Sequence, residues 1–439
     1  MALNRREFLG AVLGSSMLHA VAPIPRVNGA DSFFGGSEAT KKGFSILQGM
    51  TDESTSQFTL VLPKGAYSIE ATGGSNSLNL NTRVVDRPFS DFVVHKVSVS
   101  GLQLGVAYNL RVLDSTGAVA DERIFRALDL SERKVKLAFV SCQLDLFHHD
   151  DIWAQVEKQK ADLVFFTGDN VYCDRTSLIH KAPADAKQLW ERYVLTRNRV
   201  AFYYQKELTP VLAIWDDHDF GTDNGDRTFA YAADSAIVFD TFFAQDARPA
   251  LSVGPGIARR LSAFGGEMFL LDDRTWRDAK GTANGKMFGA AQDAWLAGGL
   301  NDSPAFIISG SVFFGAYSSG ESYEGPFPAD FKEFRARIQA APCVCAFISG
   351  DVHYSEVMDI EAAQVGYPTV EIVSSGIHSY TFPGHENRFT NPRRRAGCAF
   401  GAHNFVMFNG GFAQKQIRGE VSSYSAGKAE FSTQLLIQR

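Results

Sequence analysis

Cys142, Asp169, Tyr172, Asp217, His218, Asp351 and His353 are residue types that bind metal ions, and each stands where an apolar run breaks off. The strings are LAFVSC, ending at Cys142; LVFFTGDNVY, carrying Asp169 and Tyr172; VLAIWDDHD, carrying Asp217 and His218; and CAFISGDVHY, carrying Asp351 and His353. Each apolar part has strand length and no polar alternation, the pattern of a strand buried on both faces. In open α/β sheets, ligands collect beyond the carboxyl ends of such strands. The four ends are therefore expected to form one composite metal site.

The chemistry of such a site follows from its donors. Asp169 comes after Gly168, whose backbone freedom suits a tight turn off a strand. A carboxylate there can bridge two cations, and cations roughly 3.5–4 Å apart clamp the attacking and leaving oxygens of a phosphoryl transfer. Asp351 and His353 are two residues apart, so on an extended segment they point the same way and can serve adjacent ions. Cys142, Asp169, Tyr172 and His353 offer a thiolate, a carboxylate, a phenolate and an imidazole, which suit a trivalent iron better than magnesium. The carboxylate and amide side, Asp217, Asp351 and Asn224, suits a harder ion such as calcium. Taken singly, each has a plainer reading. Gly-Asp is a common turn, Cys142 fits a buried core cysteine, Tyr172 an ordinary wall residue, and an Asp-His pair a helix cap beside a surface histidine. No serine sits in a Gly-x-Ser-x-Gly elbow, so water is expected to attack rather than a protein nucleophile.

The elements that position these residues follow from local pattern. From Phe44 to about residue 130, short apolar runs separated by turn residues predict a small β-sandwich, with Tyr108 placed like a tyrosine corner. From residue 134 to 439 the pattern becomes β-α-β. Strands are expected at 136–142, 162–168, 210–215, 267–272, 305–309 and 344–349, with helices near 150–160, 186–207, 231–243, 292–300 and 331–339. The last segment, with NFVMF, KQIRGEV and EFSTQLLIQ, alternates like antiparallel strands.

At 439 residues the chain calls for more than one core. Its 35 phenylalanines, against 13 tyrosines and 5 tryptophans, point to large cores rather than disorder. A net charge of −6 argues against nonspecific nucleic-acid binding. Arg5-Arg6-Glu7-Phe8-Leu9 before a short Gly/Ala-rich apolar stretch has the form of a twin-arginine export signal covering residues 1–30, followed by a linker at 31–43. A chance arginine pair or an N-terminal anchor is the alternative, but the apolar run is too short to span a bilayer. The expected location is periplasmic or secreted, with the twin-arginine translocase as an export partner and no stable membrane span. Five cysteines in an exported chain leave at least one unpaired. Cys142 fits that role as a thiolate ligand; Cys343 and Cys345 read as core residues, and a disulfide at Cys173 or Cys398 stays open.

In combination, VSCQ, GDNVYCD, WDDHDFGTDNGD, LLDDRTWRD, ISGDVHYSE and SSGIHS resemble the alkaline phosphatase D family of calcineurin-like metallophosphoesterases, across essentially the whole chain after the leader. The resemblance implies an α/β core of two mixed sheets flanked by helices, preceded by a fibronectin III/Ig-like sandwich. It implies Fe(3+) held by Cys142, Asp169, Tyr172 and His353, and Ca(2+) sharing Asp169 and adding Asp217, Asp351 and Asn224. By the same resemblance His218 contacts the phosphoryl group and protonates the leaving group, and Arg274 belongs to a substrate-binding motif that reads Asp272-Asp273-Arg274 here, with an acid where the family has threonine. Arg175 and His378 are further candidates for substrate contact; an equally simple role for Arg175 is pairing with Asp174. The expected reaction is hydrolysis of phosphate mono- or diesters by a metal-bound hydroxide, with small or polymeric esters as substrates. A phospholipase-like activity on the same site, or a catalytically silent metal-binding surface protein, are the rival readings.

Overall fold

The computed structural model describes residues 43–147, 149–246, 256–315, 322–381, 383–388 and 390–439. The expected export signal and nearly all of the linker lie outside the described residues.

Seven strands come first: β1 (Ser45–Thr51), β2 (Thr55–Pro63), β3 (Ser68–Thr72), β4 (Asn79–Val85), β5 (Phe92–Ser100), β6 (Ala107–Leu113) and β7 (Val119–Arg126). They pair antiparallel in two sheets, β1-β2-β5-β4 and β3-β6-β7. Alternation along β6 and β7 turns Tyr108, Leu110, Val112 and Phe125 inward, where they meet Phe58 and Leu60 of the other sheet in one apolar cluster. The buried Tyr108 hydroxyl accepts the Gln103 amide five residues upstream at 2.8 Å, the geometry of a tyrosine corner.

The opposite face of the first sheet is covered along β1, β2 and β5. Leu47, Met50, Val61 and Val94 join the main hydrophobic core. Arg197 crosses this junction: its guanidinium donates to Ser45 Oγ at 3.0 Å, Thr59 O at 2.9 Å and Phe242 O at 2.8 Å, and lies 4.4 Å over the Tyr203 ring. Burial lowers its pKa to about 10.

The rest of the chain runs β8 (Val135–Val140), α1 (Asp150–Gln159), β9 (Leu163–Thr167), α2 (Ala186–Arg199), β10 (Val211–Ile214), α3 (Asp217–Phe220), α4 (Ala232–Phe242), β11 (Arg259–Ala263), β12 (Gly266–Leu270) and α5 (Gly289–Gly299). It continues through β13 (Ala305–Ile308), α6 (Pro328–Ala340), β14 (Cys345–Ser349), β15 (Ser355–Ile360), α7 (Ala362–Val365), β16 (Thr369–Val373), β17 (Arg394–Phe400), β18 (Phe405–Ala413), β19 (Gln416–Tyr424) and β20 (Ala429–Gln438). One sheet has the order β10-β9-β8-β18-β19-β20, the other β11-β12-β13-β14-β16-β15-β17. Both are mixed: β8, β9 and β10 pair parallel, as do β12, β13, β14 and β16, while the outer strands pair antiparallel. Phenylalanines lock the two sheets face to face. Phe139 of β8 stacks on Phe165 at 5.4 Å and meets Phe306 of β13 edge-on, and Phe306 meets Phe408 of β18 at 5.2 Å. Each such buried ring contributes on the order of 1.5–3 kcal/mol from burial.

Three local differences from the sequence expectation have physical causes. The helix expected over 186–207 stops at Arg199, where Val200 leaves helical geometry and the chain tightens into a 3-10 turn at Ala201–Tyr204. The strand expected at 267–272 ends at Leu270, because Asp272 accepts the amides of Arg274 and Thr275 and turns the chain. Strands β11, β15, β16 and β17 had no place in the sequence pattern; β11 and β17 are sheet edges with polar or half-buried residues, which weakens any period-2 signal, and β16 is a short buried run, TVEIV, interrupted by Glu371.

Candidate metal centre

The site lies where the two mixed sheets meet, at the carboxyl ends of β8, β9, β10 and β14. Short backbone links bring those ends together: Cys142 N donates to Gly168 O at 3.2 Å, Gln143 N to Asp169 O at 2.9 Å, and Gly350 N to Gly310 O at 2.9 Å. The approach is too close for side chains at the turns. A Cβ on Gly168, at φ +91°, would lie 2.7 Å from Asp216 Cβ, and one on Gly350 2.6 Å from Thr167 O.

Five candidate ligands share an uncommon backbone state. Cys142, Asp169, Asn224, Asp351 and His353 have φ of 57°, 53°, 54°, 70° and 61°. Non-glycine residues avoid this left-handed region at roughly 1–3 kcal/mol each, and such residues concentrate at functional sites. The fold holds these five side chains in directions that a relaxed turn would not give.

Among the described residues, two groups of donor atoms lie within 4.8 Å of one another: Cys142 with Asp169 and His353, and Asp169 with Asp217 and His218. Asp169 belongs to both. Its Oδ2 lies 3.5 Å from Cys142 Sγ, and its Oδ1 accepts the His218 amide at 3.3 Å. Tyr172 closes the first group, its hydroxyl 3.2 Å from His353 Nε2, and its ring stacks on His218 at 4.1 Å. His353 Nδ1 faces the Tyr380 carbonyl at 2.9 Å; a carbonyl only accepts, so Nδ1 carries the proton and Nε2 keeps its lone pair toward the group.

Other candidates sit differently. Asp351 turns its backbone carbonyl toward Cys142 Sγ at 3.8 Å, and its carboxylate belongs to neither group. Asn224 is exposed and reaches Asp217 Oδ2 through its backbone amide, at 2.5 Å, rather than through its side chain. Arg274 is buried in a salt bridge with Asp216, its Nε 2.6 Å from Oδ1, with further bonds to Gly225 O and Ser311 Oγ. Asp272 caps the following turn and Asp273 accepts the Ser311 amide, so neither acid of that motif enters the donor groups. Arg175 does not pair with Asp174; its guanidinium lies 5.4 Å over the half-open Tyr380 ring. His378 donates Nδ1–H to Leu144 O at 3.1 Å and lines a separate small pocket with Asp145, His149, Trp153 and Arg199. Burial lowers its pKa to about 3, with His149 and His403 adding to the effect, so its ring is neutral. All five cysteines are free and buried, Cys173 and Cys398 included.

Two positioning residues were not expected at the site from sequence, Asp174 having been considered only as a partner of Arg175. Asp174 accepts from His218 Nδ1 at 2.7 Å, turning Nε2 toward Asp217 Oδ1, 4.0 Å away. Asp219 accepts the amides of Asn170 at 3.1 Å and Val171 at 2.9 Å, pinning the loop that carries Asp169 and Tyr172; burial lifts its pKa to about 7. Both acids lie inside GDNVYCD and WDDHD, so proximity to Asp169 and His218 was the available signal.

The electrostatics call for cations. Burial, and then the charges of Asp217, Asp216 and Asp219, push the Asp169 carboxyl well above its ordinary range, with Arg274 acting the other way. Burial likewise lifts the Cys142 thiol and the Tyr172 phenol far up. A thiol, a phenol and two carboxyls crowded out of water lose their protons together only with positive charge among them. Arg274, bound to Asp216, and the buried Arg277 beside it are nearby fixed cations. Soft and hard donors gathered around one shared carboxylate fit a pair of metal ions.

No protein-family model and no curated protein matches the chain. Among solved structures, the chain is similar to a structure of PhoD, with a TM-score of 0.65 and 15% identity over 92% of this chain and 90% of that one. A second match, to a predicted phosphoesterase from Streptococcus pneumoniae, has a TM-score of 0.26 and 9% identity over 69% of this chain and 98% of that one. The overall fold is therefore a PhoD-like one.

Proposed function

We propose that this chain is a metal-dependent phosphoesterase of the alkaline phosphatase D type, acting on phosphate mono- or diesters. The observation that carries the proposal is the two-sided Asp169 carboxylate, shared between the Cys142–His353 group and the Asp217–His218 group. The PhoD-like fold supports the same reading. In it, Cys142, Asp169, Tyr172 and His353 would hold one cation, Fe(3+), and Asp169 and Asp217 would hold a second, Ca(2+), to which Asp351 and Asn224 are assigned by the family resemblance alone. Such ions supply Lewis acidity for water and positive charge for the phosphoryl oxygens.

The chain's own residues do the rest. Asp174 fixes His218 with Nδ1 protonated and favours a charged ring, so that Nε2 can pass a proton to the departing alkoxide. Asp217 and Asp174 push the His218 pKa up against burial, which works downward. His218 also stands in the second donor group, so a role as metal ligand is the competing assignment. Arg175, beside the half-open Tyr380 ring, is the cation best placed to meet substrate among the arginines considered, since Arg274 is spent on Asp216. The twin-arginine leader belongs to this proposal: folded, metal-loaded export to the periplasm or beyond.

The test is hydrolysis of a chromogenic phosphodiester and the matching monoester by protein loaded with iron and calcium, beside Asp169→Asn. Turnover by the wild type alone supports the proposal, and the ratio of the two rates narrows the substrate. A folded, metal-loaded wild type that cleaves neither refutes it.

A further inference from the structure

The loop after β16, Ser374-Ser375-Gly376-Ile377-His378-Ser379, supplies no ligand to either donor group, yet it touches three members of the soft one. Ser375 Oγ lies 3.3 Å from Cys142 Sγ and 2.7 Å from the His353 amide. Ser379 Oγ lies 2.9 Å from the Tyr172 hydroxyl and 3.2 Å from His353 Nε2. Both serines are buried.

Counting protons assigns the direction of these bonds. The His353 amide must donate, so Ser375 Oγ accepts there and its own O–H is left for Cys142 Sγ. Ser141 Oγ also lies 3.3 Å from that sulfur, but its single proton has a nearer acceptor in Ser374 O at 2.8 Å. Ser375 is therefore the donor to sulfur. Ser379 has one proton and faces the Tyr172 oxygen more closely than the His353 lone pair.

The loop is braced for this task. Ser374 Oγ donates to Phe139 O at 2.6 Å, Asn404 Nδ2 donates to Ser375 O at 2.7 Å, and His403 Nε2 bonds Ser379 O at 3.0 Å. Gly376, at φ +84°, makes the bend between the two serines, and a Cβ there would lie 3.2 Å from His353 O. Hydroxyls on a segment held from both sides keep their aim, as groups that tune a metal's ligands require.

We propose that Ser375 and Ser379 are positioning residues that donate hydrogen bonds to two anionic ligands of the Cys142–His353 group, Ser375 to the Cys142 thiolate and Ser379 to the Tyr172 phenolate, and so set how strongly those ligands bind and donate charge to the metal. The proposal rests on the metal centre proposed above.

The experiment compares full-length metal-loaded wild type with S375A, S379A, S375T and S379T. It reads metal content, retention against a competing chelator, and the ligand-to-metal charge-transfer absorption of bound iron, or of cobalt(II) substituted for it. Loss of a donor raises the energy of the ligand electrons. Each alanine variant should therefore show its thiolate or phenolate band moved to longer wavelength and, because the more basic ligand holds its proton more tightly against the metal at fixed pH, metal affinity reduced about 10–100-fold, the usual scale for such partners. The threonine variants should move both readouts back toward wild type. A structural role for the serines would weaken binding without moving the band. Should an alanine variant fail to fold, the wild type still answers through the resonance Raman metal–ligand stretches, which shift between H2O and D2O when an exchangeable donor such as a serine hydroxyl bonds the ligand. Bands and stretches that do not respond overturn the inference while leaving the metal centre standing. A wild type that shows no charge-transfer band, and whose metal content equals that of Asp169→Asn, overturns both.

Discussion

Replacing Asp174 by Asn tests how His218 works. Asp174 Oδ1 accepts from His218 Nδ1 at 2.7 Å, and both residues are buried. A hydrogen bond to a charged group contributes about 1.5–3 kcal/mol. That contribution is present when His218 is charged and shrinks when it is neutral, so it helps only steps in which the ring holds or delivers a proton. Its loss should lower kcat about 10- to 150-fold at neutral pH. The assay compares two diesters, one releasing a basic alkoxide and one releasing an acidic nitrophenolate that leaves unaided. The loss should fall on the alkyl ester and nearly vanish for the nitrophenyl ester. An equal loss on both esters, with metal content reduced, would refute proton donation and favour His218 as a ligand. Unchanged kcat on the alkyl ester would refute any role for the pair.

Further predictions cover metal, stability and pH. Cys142→Ser should lose the metal of the soft group and keep the one near Asp217, whereas Asp169→Asn should lose both; elemental analysis after gel filtration distinguishes them. Arg197→Met leaves the acceptors at Ser45, Thr59 and Phe242 without their shared donor, and should lower stability in urea by about 3 kcal/mol or more. Glu371 faces only donors, the Phe313 and Phe314 amides at 2.8 Å each and Ser349 Oγ at 2.6 Å. Glu371→Gln would turn an NH2 toward one of them and should destabilise by about 1–3 kcal/mol; a neutral result would mean the carboxyl is already protonated, in keeping with the pKa of about 7 to which burial lifts it. His378 has its pKa depressed from 6.5 to about 3, so the unfolded chain takes up a proton first on acidification. Its contribution is intact above pH 6.5 and should be lost progressively toward pH 3, by a few kcal/mol. His378→Gln should flatten that slope in pH-dependent urea melts.

The ends of β8, β9, β10 and β14 were legible in sequence because a strand buried on both faces writes itself as an unbroken apolar run, and the residue that ends the run is visible without any partner. Residue type did the same for the chemistry: Cys142, Asp169, Tyr172 and His353 offer a mixed thiolate, carboxylate, phenolate and imidazole set wherever they are brought together. The alternation of the first seven strands likewise announced a two-sheet unit, with Tyr108 at its corner. Edge strands β11 and β17 stayed hidden, since half-exposed strands have no clean period. What the sequence left open were pairings across long separations. Whether Arg175 or His218 takes Asp174, whether Arg274 meets substrate or Asp216, and which face of the SSGIHS loop meets Cys142 and Tyr172 depend on how two sheets pack. Asp351 and His353 show the limit most directly. Their spacing of two promised a shared direction on an extended backbone, but both residues adopt left-handed φ, and the alternation rule lapses where the strand ends. Tertiary packing holds that geometry, because the left-handed region is uncommon even for Asp and His, which tolerate it better than most residues.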